Sequence, residues 1–393
     1  MKILHIANTD FFIKKLMLNK LKGLQSKGYE VHVMAPFCKY RDDIIEEGIT
    51  THNIDIHREI RPFKDLVAIF KLARYLKKYK FTIVHTHSSK AGIIGRTAAK
   101  LAKVPYIIHT SHGLSFYSNQ KKIKFHAYKL CEKFVGRFTD IIFSQNHEDL
   151  NQIRKYNLVP NQRAIYEGNG VNIDEIKNNI KQKPQDQILK KYNIKDKFVI
   201  GLYARLEPVK GHLFFLKALK KYIDETGDDK IIVLLAGGNF GYESDYEQKI
   251  DEKIKQLNLQ HYIKKVGYVE DITELLAITQ LVVLPSKKEG LPRIIMESMT
   301  AQIPVIGTDV LGTREIIKDQ HTGTLVPYGE VTAMTEALKE LIGKPCKREQ
   351  YKKNGIELIL NNFDENLVVE RLHREYSKLL FEQSNKHINK SKN

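Results

Sequence analysis

Cysteine is scarce in this chain, and long apolar runs are missing from it. Its 393 residues include three cysteines, Cys38, Cys131 and Cys346, whose wide spacing suits neither a disulfide framework nor a zinc site. Sparse cysteine predicts a reducing, cytoplasmic compartment. The apolar runs reach six to eight residues, whereas a membrane-spanning helix needs about 20. The N-terminal MKILHIANTDFF predicts a strand and no secretory signal peptide, because a short Ile/Leu run follows a single lysine.

Acidic residues are too few to balance the lysines and arginines, and the imbalance is uneven. The net charge of the chain is +18. Residues 1–160 hold 28 Lys and Arg against 13 Asp and Glu, a net charge of +15, which leaves +3 for residues 161–393. This asymmetry is compatible with a lysine-rich composition alone, with an anionic membrane surface, or with a nucleic acid.

Short apolar runs alternate with helical patterns along the first half of the chain. This alternation predicts a parallel sheet wrapped by helices. The predicted strands are KILHIA (2–7), EVHVMA (30–35), TIVHTH (82–87), PYIIHT (105–110) and DIIFSQ (140–145). The predicted helices lie at about 13–27, 63–79, 90–102, 121–137 and 146–157.

The alternation stops at the Gly/Asn-rich turn AIYEGNGVN (164–172) and the polar stretch 174–197, and then restarts. We therefore predict a first domain of residues 1–163 and a second of residues 164–363, followed by a helix at 364–382 and a frayed basic tail at 383–393. The predicted strands of the second half are 198–204, 230–238, 263–269, 281–286, 304–309 and 323–327. Its predicted helices are 211–226, 243–257, 272–279, 292–301, 330–342 and 347–361.

The densest chemical motif is KKEGLPRIIMESMTAQIPVIGTD (287–309). Glu289 follows a predicted strand, where a carboxylate can accept hydrogen bonds from sugar hydroxyls. Pro292 predicts the start of a helix, so Gly290, Leu291 and the next residues present free amides that suit a diphosphate. Glu297 lies two turns into that helix, within reach of ribose hydroxyls. The alternative is that both carboxylates are solvated surface groups.

A second motif, GLYARLEPVKGH (201–212), places two cations after a predicted strand. Arg205 can bind a diphosphate as a bidentate fork, and Lys210 can bind it as a point charge. These cations would stabilise the negative charge that grows on a leaving diphosphate. The alternative is a loop whose charges form surface pairs.

Together, the two motifs resemble the GT-B retaining glycosyltransferases of family four, the superfamily of sucrose synthase and bacterial mannosyltransferases. The similarity covers the whole chain, with both motifs in the expected order. It implies an α/β fold of two Rossmann-like parallel-sheet domains facing across a cleft, with the helix at 364–382 crossing back to the first domain. The first domain would be the acceptor side, and the second would bind the nucleotide sugar.

The resemblance also implies roles for individual residues. Arg205 and Lys210 match the diphosphate-binding pair, Glu289 the sugar-contacting carboxylate and Glu297 the ribose-contacting one. The nucleobase would be held by backbone in the loop 266–269, which includes Gly267.

In the first domain, HTSHGLSFY (109–117) places His112 at the tip of a predicted strand. A histidine at this place in the family lines the cleft and touches the donor sugar, so the catalytic set becomes Glu289, His112, Arg205 and Lys210. For His85, His87 and His109 we expect buried, hydrogen-bonded structural roles.

The stretches HTHSSKAGIIGRTAAKLAKVP (85–105) and HGLSFY (112–117) resemble a narrower subgroup that assembles polysaccharides and lipid-linked glycans. The resemblance implies transfer of a hexose or N-acetylhexosamine from a UDP-sugar to an undecaprenyl-diphosphate-linked saccharide, as in capsule or exopolysaccharide biosynthesis. It also implies reaction without a cofactor. We expect no metal requirement either, because an Asp-x-Asp motif is absent from the sequence.

One loop departs from the family pattern. The first strand–helix loop is normally glycine-rich in the family, but here it is Asn8-Thr9-Asp10-Phe11. The position suits the acceptor side, as do Ser89 and Lys90 after a later strand. The residues themselves do not define a role.

Lysines crowd the flanks of an apolar side in the helix predicted over 121–138. Basic amphipathic helices of this kind bind anionic membrane surfaces, which suits an enzyme with a lipid-linked acceptor. The alternative is a core-facing helix with a solvated basic side. We therefore predict a peripheral protein on the inner face of the cell membrane, with no nucleic-acid partner, because nucleic-acid-binding motifs are missing.

Two other activities remain possible for a chain with these motifs. A nucleotide-sugar 2-epimerase has the same fold and would need catalytic carboxylates in the cleft. A non-catalytic GT-B-like binding protein is the other, and the presence of Arg205, Lys210, Glu289 and Glu297 argues against it.

Overall fold

Two parallel sheets organise the chain, whose structure is a computed structural model. It describes residues 1–54, 56, 61–114, 116, 121–238 and 245–390, with the side chains of the last helix described as far as Phe381. The chain divides into two compact units, residues 1–169 with 365–393 and residues 170–364. Outside the described residues lie Ser115 and Tyr117 of HGLSFY, residues 243–244 of the helix predicted at 243–257, and residues 391–393 of the predicted tail.

The first unit contains a seven-stranded sheet in the order β3-β2-β1-β4-β5-β6-β7. All its strand pairs are parallel. Its strands are β1 Lys2–Ile6, β2 Glu30–Ala35, β3 Thr50–Asn53, β4 Ile83–His87, β5 Tyr106–Ser111, β6 Ile141–Ser144 and β7 Ala164–Tyr166. Its helices are α1 Asp10–Phe12, α2 Leu18–Ser26, α3 Arg41–Glu46, α4 Pro62–Tyr79, α5 Ser89–Leu101, α6 Lys122–Gly136 and α7 His147–Lys155. A π-helical turn, Ile13–Met17, joins α1 to α2.

The second unit contains a six-stranded parallel sheet in the order β10-β9-β8-β11-β12-β13. Its strands are β8 Phe198–Tyr203, β9 Ile231–Ala236, β10 Ile263–Gly267, β11 Leu281–Leu284, β12 Val305–Thr308 and β13 Thr324–Val326. Its helices are α8 Ile173–Lys181, α9 Gln185–Lys191, α10 His212–Thr226, α11 Asp245–Gln256, α12 Thr273–Leu276, α13 Arg293–Thr300, α14 Leu311–Ile316, α15 Val331–Gly343 and α16 Pro345–Asn362.

The last helix, α17 Glu365–Lys390, returns to the first unit, as the sequence predicts. Val368, Leu372 and Tyr376 pack against the first sheet, in the same core cluster as α2. The helix continues to Lys390, beyond the predicted end at residue 382.

The remaining helices of each unit cover the two faces of its sheet, because both faces of a parallel sheet must be buried. In the first unit, α4 and α5 pack on the face opposite α17. The second sheet likewise has a core cluster on each face. The alternating strand–helix pattern therefore predicts the fold class correctly.

None of the helices in the described part of the chain combines the length and the apolar character needed to cross a bilayer.

Candidate active site

The predicted site residues of the second unit gather where its strand order reverses. β8 lies between β9 and β11, because the chain runs outward from β8 through β9 to β10 and then returns to β11 on the other side of β8. Open parallel sheets bind ligands beside the carboxyl ends of the strands at such a point. Arg205 and Lys210 follow β8, and Glu289 follows its neighbour β11.

Close backbone packing holds these two loops together. Gly211 ends the turn Pro208–Lys210 with a φ of 74°, and a Cβ atom at this position would lie 1.9 Å from the carbonyl oxygen of Pro285. The Lys287 amide also donates to the Val209 carbonyl over 2.7 Å. Only glycine combines this φ with this contact, so Gly211 places Lys210 beside the end of β11.

Lys210 and Glu289 form an ion pair that the sequence does not predict as a contact. The Lys210 ammonium lies 2.7 Å from Glu289 Oε1, and the two side chains are 15% and 9% exposed. The buried Ser286 hydroxyl donates to the same carboxylate oxygen over 2.6 Å. A ligand diphosphate and a sugar hydroxyl would find these charged groups already oriented.

Arg205 lies apart from this pair and is more exposed. Its Nη1 atom donates to Glu207 Oε1 over 2.7 Å, and both side chains are about half exposed. An exposed pair of this kind holds its partners weakly. The guanidinium therefore remains available to an anionic ligand.

The segment before α13 presents backbone at the same edge of the sheet. The helix α13 begins at Arg293, one residue after the predicted start. Its N-cap residue is Pro292, which has no side-chain group that could accept from the first amides of the helix. A Cβ atom at Gly312 would lie 1.6 Å from the Gly290 carbonyl oxygen, which keeps this segment close to the start of α14. Gly290 is partly exposed, whereas Leu291 is buried.

Glu297 lies on α13, where its neighbours Met296 and Ser298 are buried. Its carboxylate accepts a long hydrogen bond of 3.4 Å from Arg293 Nε, one turn earlier. Arg293 also donates to the Gly170 carbonyl over 3.4 Å. Arg293 is not among the site residues predicted from the sequence, although its i,i+4 spacing to Glu297 predicts this contact.

Gly267 ends β10 with a φ of 71°. A Cβ atom at this position would have no neighbouring atom within 4 Å. The Gly267 carbonyl accepts from the Gly237 amide over 2.9 Å. A Cβ atom at Gly237 would in turn lie 1.9 Å from the Ala204 carbonyl oxygen. Glycine backbone thus lies next to the end of β8.

The strand order of the first unit reverses at β1 and β4, and histidines occupy that point. His112 lies just beyond β5, and its Nε2 atom is 3.1 Å from His87 Nδ1. His87 Nε2 is in turn 3.0 Å from His5 Nδ1. Burial lowers the pKa of His5 and of His112 to about 3, so both rings are neutral at physiological pH.

The other histidines of this cluster are buried and hydrogen-bonded, as predicted. His85 contacts the Tyr376 hydroxyl at 2.5 Å and the Thr110 hydroxyl at 2.8 Å, and His109 contacts Thr86 at 3.0 Å. Nitrogen atoms of His5, His85 and His87 lie within 4.8 Å of one another. Because hydrogen bonds already use both nitrogens of His85, metal binding would have to break one of them.

Asp10 anchors the first strand–helix loop, the loop that lacks glycine. Burial raises the pKa of the Asp10 carboxyl, but hydrogen bonds from backbone amides outweigh this effect and lower it overall. Oδ2 accepts from the amides of Cys38, Lys39 and Tyr40 at 2.7 to 3.0 Å. The carboxylate therefore ties this loop to the one after β2, and Thr9 caps α1.

Two family models match most of the chain. Residues 2–146 match the model "Glycosyl transferase 4-like", and residues 184–358 match "Glycosyl transferases group 1".

Relatives in bacteria cover nearly the same length. An Escherichia coli protein named UDP-Gal:alpha-D-GlcNAc-diphosphoundecaprenol alpha-1,3-galactosyltransferase is 29% identical over 350 residues, 86% of this chain and 87% of the relative. The Staphylococcus aureus capsular polysaccharide biosynthesis glycosyltransferase CapM is 26% identical over 393 residues, 98% and 99% of the two chains. A Campylobacter jejuni N,N'-diacetylbacillosaminyl-diphospho-undecaprenol alpha-1,3-N-acetylgalactosaminyltransferase is 25% identical over 394 residues, 97% and 99% of the two chains.

Solved structures share the fold at low sequence identity. A glycosyltransferase from Rickettsia africae superposes with a TM-score of 0.81 at 20% identity, covering 96% of this chain and 98% of that one. HepE from Anabaena, in complex with UDP and glucose, superposes with a TM-score of 0.82 at 18% identity and covers 96% and 100%.

Two parallel-sheet units of this kind are the GT-B fold. The chain belongs to the group 1, family-four-like glycosyltransferases.

Proposed function

We propose that this glycosyltransferase moves a hexose or N-acetylhexosamine from a UDP-sugar to an undecaprenyl-diphosphate-linked saccharide, with retention of anomeric configuration. The observation that carries the proposal is the Lys210–Glu289 ion pair at the strand-order reversal of the second unit. In this proposal Lys210 binds the diphosphate, and the neighbouring Glu289 binds the sugar. The activities that name the E. coli and C. jejuni relatives, and the UDP complex of HepE, support the donor and acceptor classes.

Arg205 and Lys210 bind the donor diphosphate in this proposal. Negative charge grows on the diphosphate as the bond to the sugar breaks, so the cations stabilise the transition state more than the ground state. Lys210 is held by Glu289, whereas the half-exposed Arg205 can leave Glu207 to form a bidentate contact with phosphate oxygens.

Two carboxylates and several backbone groups bind the remaining parts of the donor in this proposal. Glu289 accepts hydrogen bonds from hydroxyls of the transferred sugar, and Glu297 from those of the ribose. The amides at Gly290 and Leu291 lie next to the uncapped start of α13, where a phosphate is favoured. Backbone around Gly267 contacts the nucleobase.

His112 contacts the donor sugar from the first unit. A neutral imidazole suits this role, because it hydrogen-bonds without adding a charge beside the sugar. The acceptor attacks from the face that the diphosphate leaves, and the leaving phosphate takes the acceptor proton. No enzyme nucleophile is part of this route.

The reaction should proceed without a metal ion, because Arg205 and Lys210 supply the positive charge at the diphosphate. We expect turnover to be unchanged when a chelator is added to protein freed of divalent ions. The measurement is nucleotide release with and without chelator, followed by addition of Mn²⁺. Activity that disappears with the chelator and returns with Mn²⁺ would contradict this assignment.

An anionic membrane surface is the further partner. A lipid-linked acceptor confines the reaction to a bilayer, and the excess positive charge of residues 1–160 suits the inner, anionic face of the cell membrane. We assign this charge to lipid and not to nucleic acid, for which the sequence has no recognition motif.

A donor screen tests the proposed function. Purified protein is incubated with single UDP-sugars, with and without an undecaprenyl-diphosphate-linked saccharide, and release of UDP is measured. We expect release from one UDP-hexose or UDP-N-acetylhexosamine that depends on the lipid-linked acceptor. Interconversion of UDP-sugars without any acceptor would instead identify a nucleotide-sugar 2-epimerase.

A further inference from the structure

Helix α4 exposes a continuous row of large apolar side chains. Phe63, Leu66, Val67 and Phe70 are spaced i, i+3, i+4 and i+7, so they occupy one side of the helix. They are 88%, 52%, 52% and 60% exposed. The opposite side of α4 is already buried in the core of the unit. The four residues of the apolar row therefore do not contribute to the core that holds α4 on the sheet.

Helix α6 has a similar apolar stripe. Ile123, Leu130 and Phe134 lie at i, i+7 and i+11 and are 86%, 69% and 55% exposed. Val135 is buried on another side of the helix, and Tyr128 packs against the core. The single apolar side predicted for this helix therefore divides into a buried part and an exposed part.

The two helices lie on the same face of the first sheet. α4 and α5 share a core cluster that includes Ile107 of β5. α6 packs against α5 and against the core cluster that contains Ile142. Ile142 pairs in register with His109, which is two residues from Ile107 on β5 and therefore on the same face of the sheet. A buried ion pair of 2.7 Å between Arg96 of α5 and Glu132 fixes α6 in place.

Basic side chains surround the exposed apolar residues. α4 carries five Lys and Arg residues and a single carboxylate, Asp65, which pairs with Lys90. α6 carries four lysines and a single carboxylate, Glu132, which is buried. β3 and β5, the strands that precede α4 and α6, both end at the edge of the sheet at which His112 lies.

We propose that α4 and α6 form one membrane-inserting surface, with the apolar residues entering an anionic bilayer and the basic residues contacting its headgroups. Apolar side chains flanked by lysines are what an interfacial helix needs. A protein partner would have to match a strongly positive rim around this apolar area. The inference rests on the proposed lipid-linked acceptor, and it adds α4 and apolar insertion to the charge attraction expected for residues 121–138.

Tryptophan fluorescence tests the proposal, because the chain contains no tryptophan. Single reporters are introduced as Phe63→Trp, Phe70→Trp and Phe134→Trp. Phe381→Trp is the matched control, since Phe381 is 69% exposed on α17, against the opposite face of the same sheet. Each protein is mixed with vesicles of phosphatidylcholine and phosphatidylglycerol, with or without brominated acyl chains.

We expect the emission of the three reporters to shift to shorter wavelength and to be quenched by the brominated lipid, while the control remains unchanged. The double variant Phe63→Ser/Phe70→Ser should bind the vesicles about tenfold more weakly, since each side chain loses its apolar burial. Phe381→Ser should bind like the wild type. Charge reversal at Lys122 and Lys124 should also weaken binding, and high salt should reduce that difference.

Three results would overturn the proposal. The first is failure of the wild-type protein to bind these vesicles. The second is unchanged emission of the reporters on α4 and α6 in protein that does bind, and the third is a shift without vesicles as the protein self-associates. Transfer to a soluble short-chain diphosphate-linked saccharide separates this test from the proposed function. If the wild type did not transfer sugar to this soluble acceptor, the proposed function would be wrong. If the wild type and the double variant transferred sugar equally, any difference in vesicle binding would concern the membrane surface alone.

Discussion

Replacement of Arg205 or Lys210 by alanine is expected to lower turnover by about 100-fold or more at saturating donor. In the proposed function both cations meet charge that develops only as the sugar leaves the diphosphate, so their removal should raise the barrier more than it weakens donor binding. The expectation is checked by steady-state kinetics with varied UDP-sugar. Lys287→Ala is a matched control, because this exposed lysine lies on the same strand-end loop as Glu289 and has no assigned role.

Glu297→Ala provides the contrasting result. A ribose contact is the same in ground and transition states, so its loss should mainly raise the Michaelis constant for the donor, by about tenfold or more. If Glu297→Ala and Arg205→Ala lost turnover equally at saturating donor, the division of roles between the carboxylate on α13 and the cations after β8 would be wrong.

Glu289→Gln is expected to lower turnover by about 100-fold, with a smaller change in donor affinity. In the proposed function the side chain contacts the migrating sugar, whose orientation and charge change as the reaction proceeds. Glutamine keeps the shape and can still accept from Ser286, so the variant removes the charge next to Lys210 and little else. Thermal unfolding of the variant separates this effect from a loss of folding.

The contact between Glu289 and Lys210 adds a second measurement. Groups in direct contact act as a unit, so the double variant Lys210→Ala/Glu289→Gln should lose much less than the product of the two single losses. Multiplicative losses would mean that the two side chains act independently, and that the observed ion pair is not part of the working site.

The sequence predicts the strands that matter for the site because they are buried on both faces. β8 and β11 appear as short continuous apolar runs, and β1 as a nearly continuous one, and this pattern is typical of central parallel strands. β3 and β7 are missed, and both are edge strands with a neighbour on only one side. β7 also belongs to the first unit. The boundary between the two units lies between Asn169 and Gly170, whereas the sequence predicts it between residues 163 and 164.

Two helices, α8 and α9, lie at the polar stretch 174–197 and are not predicted from the sequence. α8 buries Ile173 and Ile176, and α9 buries Ile188, against the second core. Each is short, and its remaining residues are mostly polar, so the apolar periodicity is confined to two or three positions. Tertiary packing stabilises such helices more than their own sequence does.

Single residues of the candidate site were easier to predict than their contacts. The spacing of the motifs predicts that Lys210 and Glu289 both follow strands, but their pairing depends on β8 and β11 being neighbours and on Gly211 fitting against Pro285. The bond between His87 and His112 likewise joins two strands that are separate in sequence. Asp10 satisfies amides some 30 residues away, which no local pattern predicts.

The most direct test of the account is the anomeric configuration of the product. The protein would be incubated with the UDP-α-sugar found in the donor screen and with an undecaprenyl-diphosphate-linked saccharide, in the presence of chelator, and the product examined by NMR. The account predicts a new α-glycosidic bond to the lipid-linked saccharide, formed without metal. A β-linked product, or no product unless a divalent metal is supplied, would contradict it.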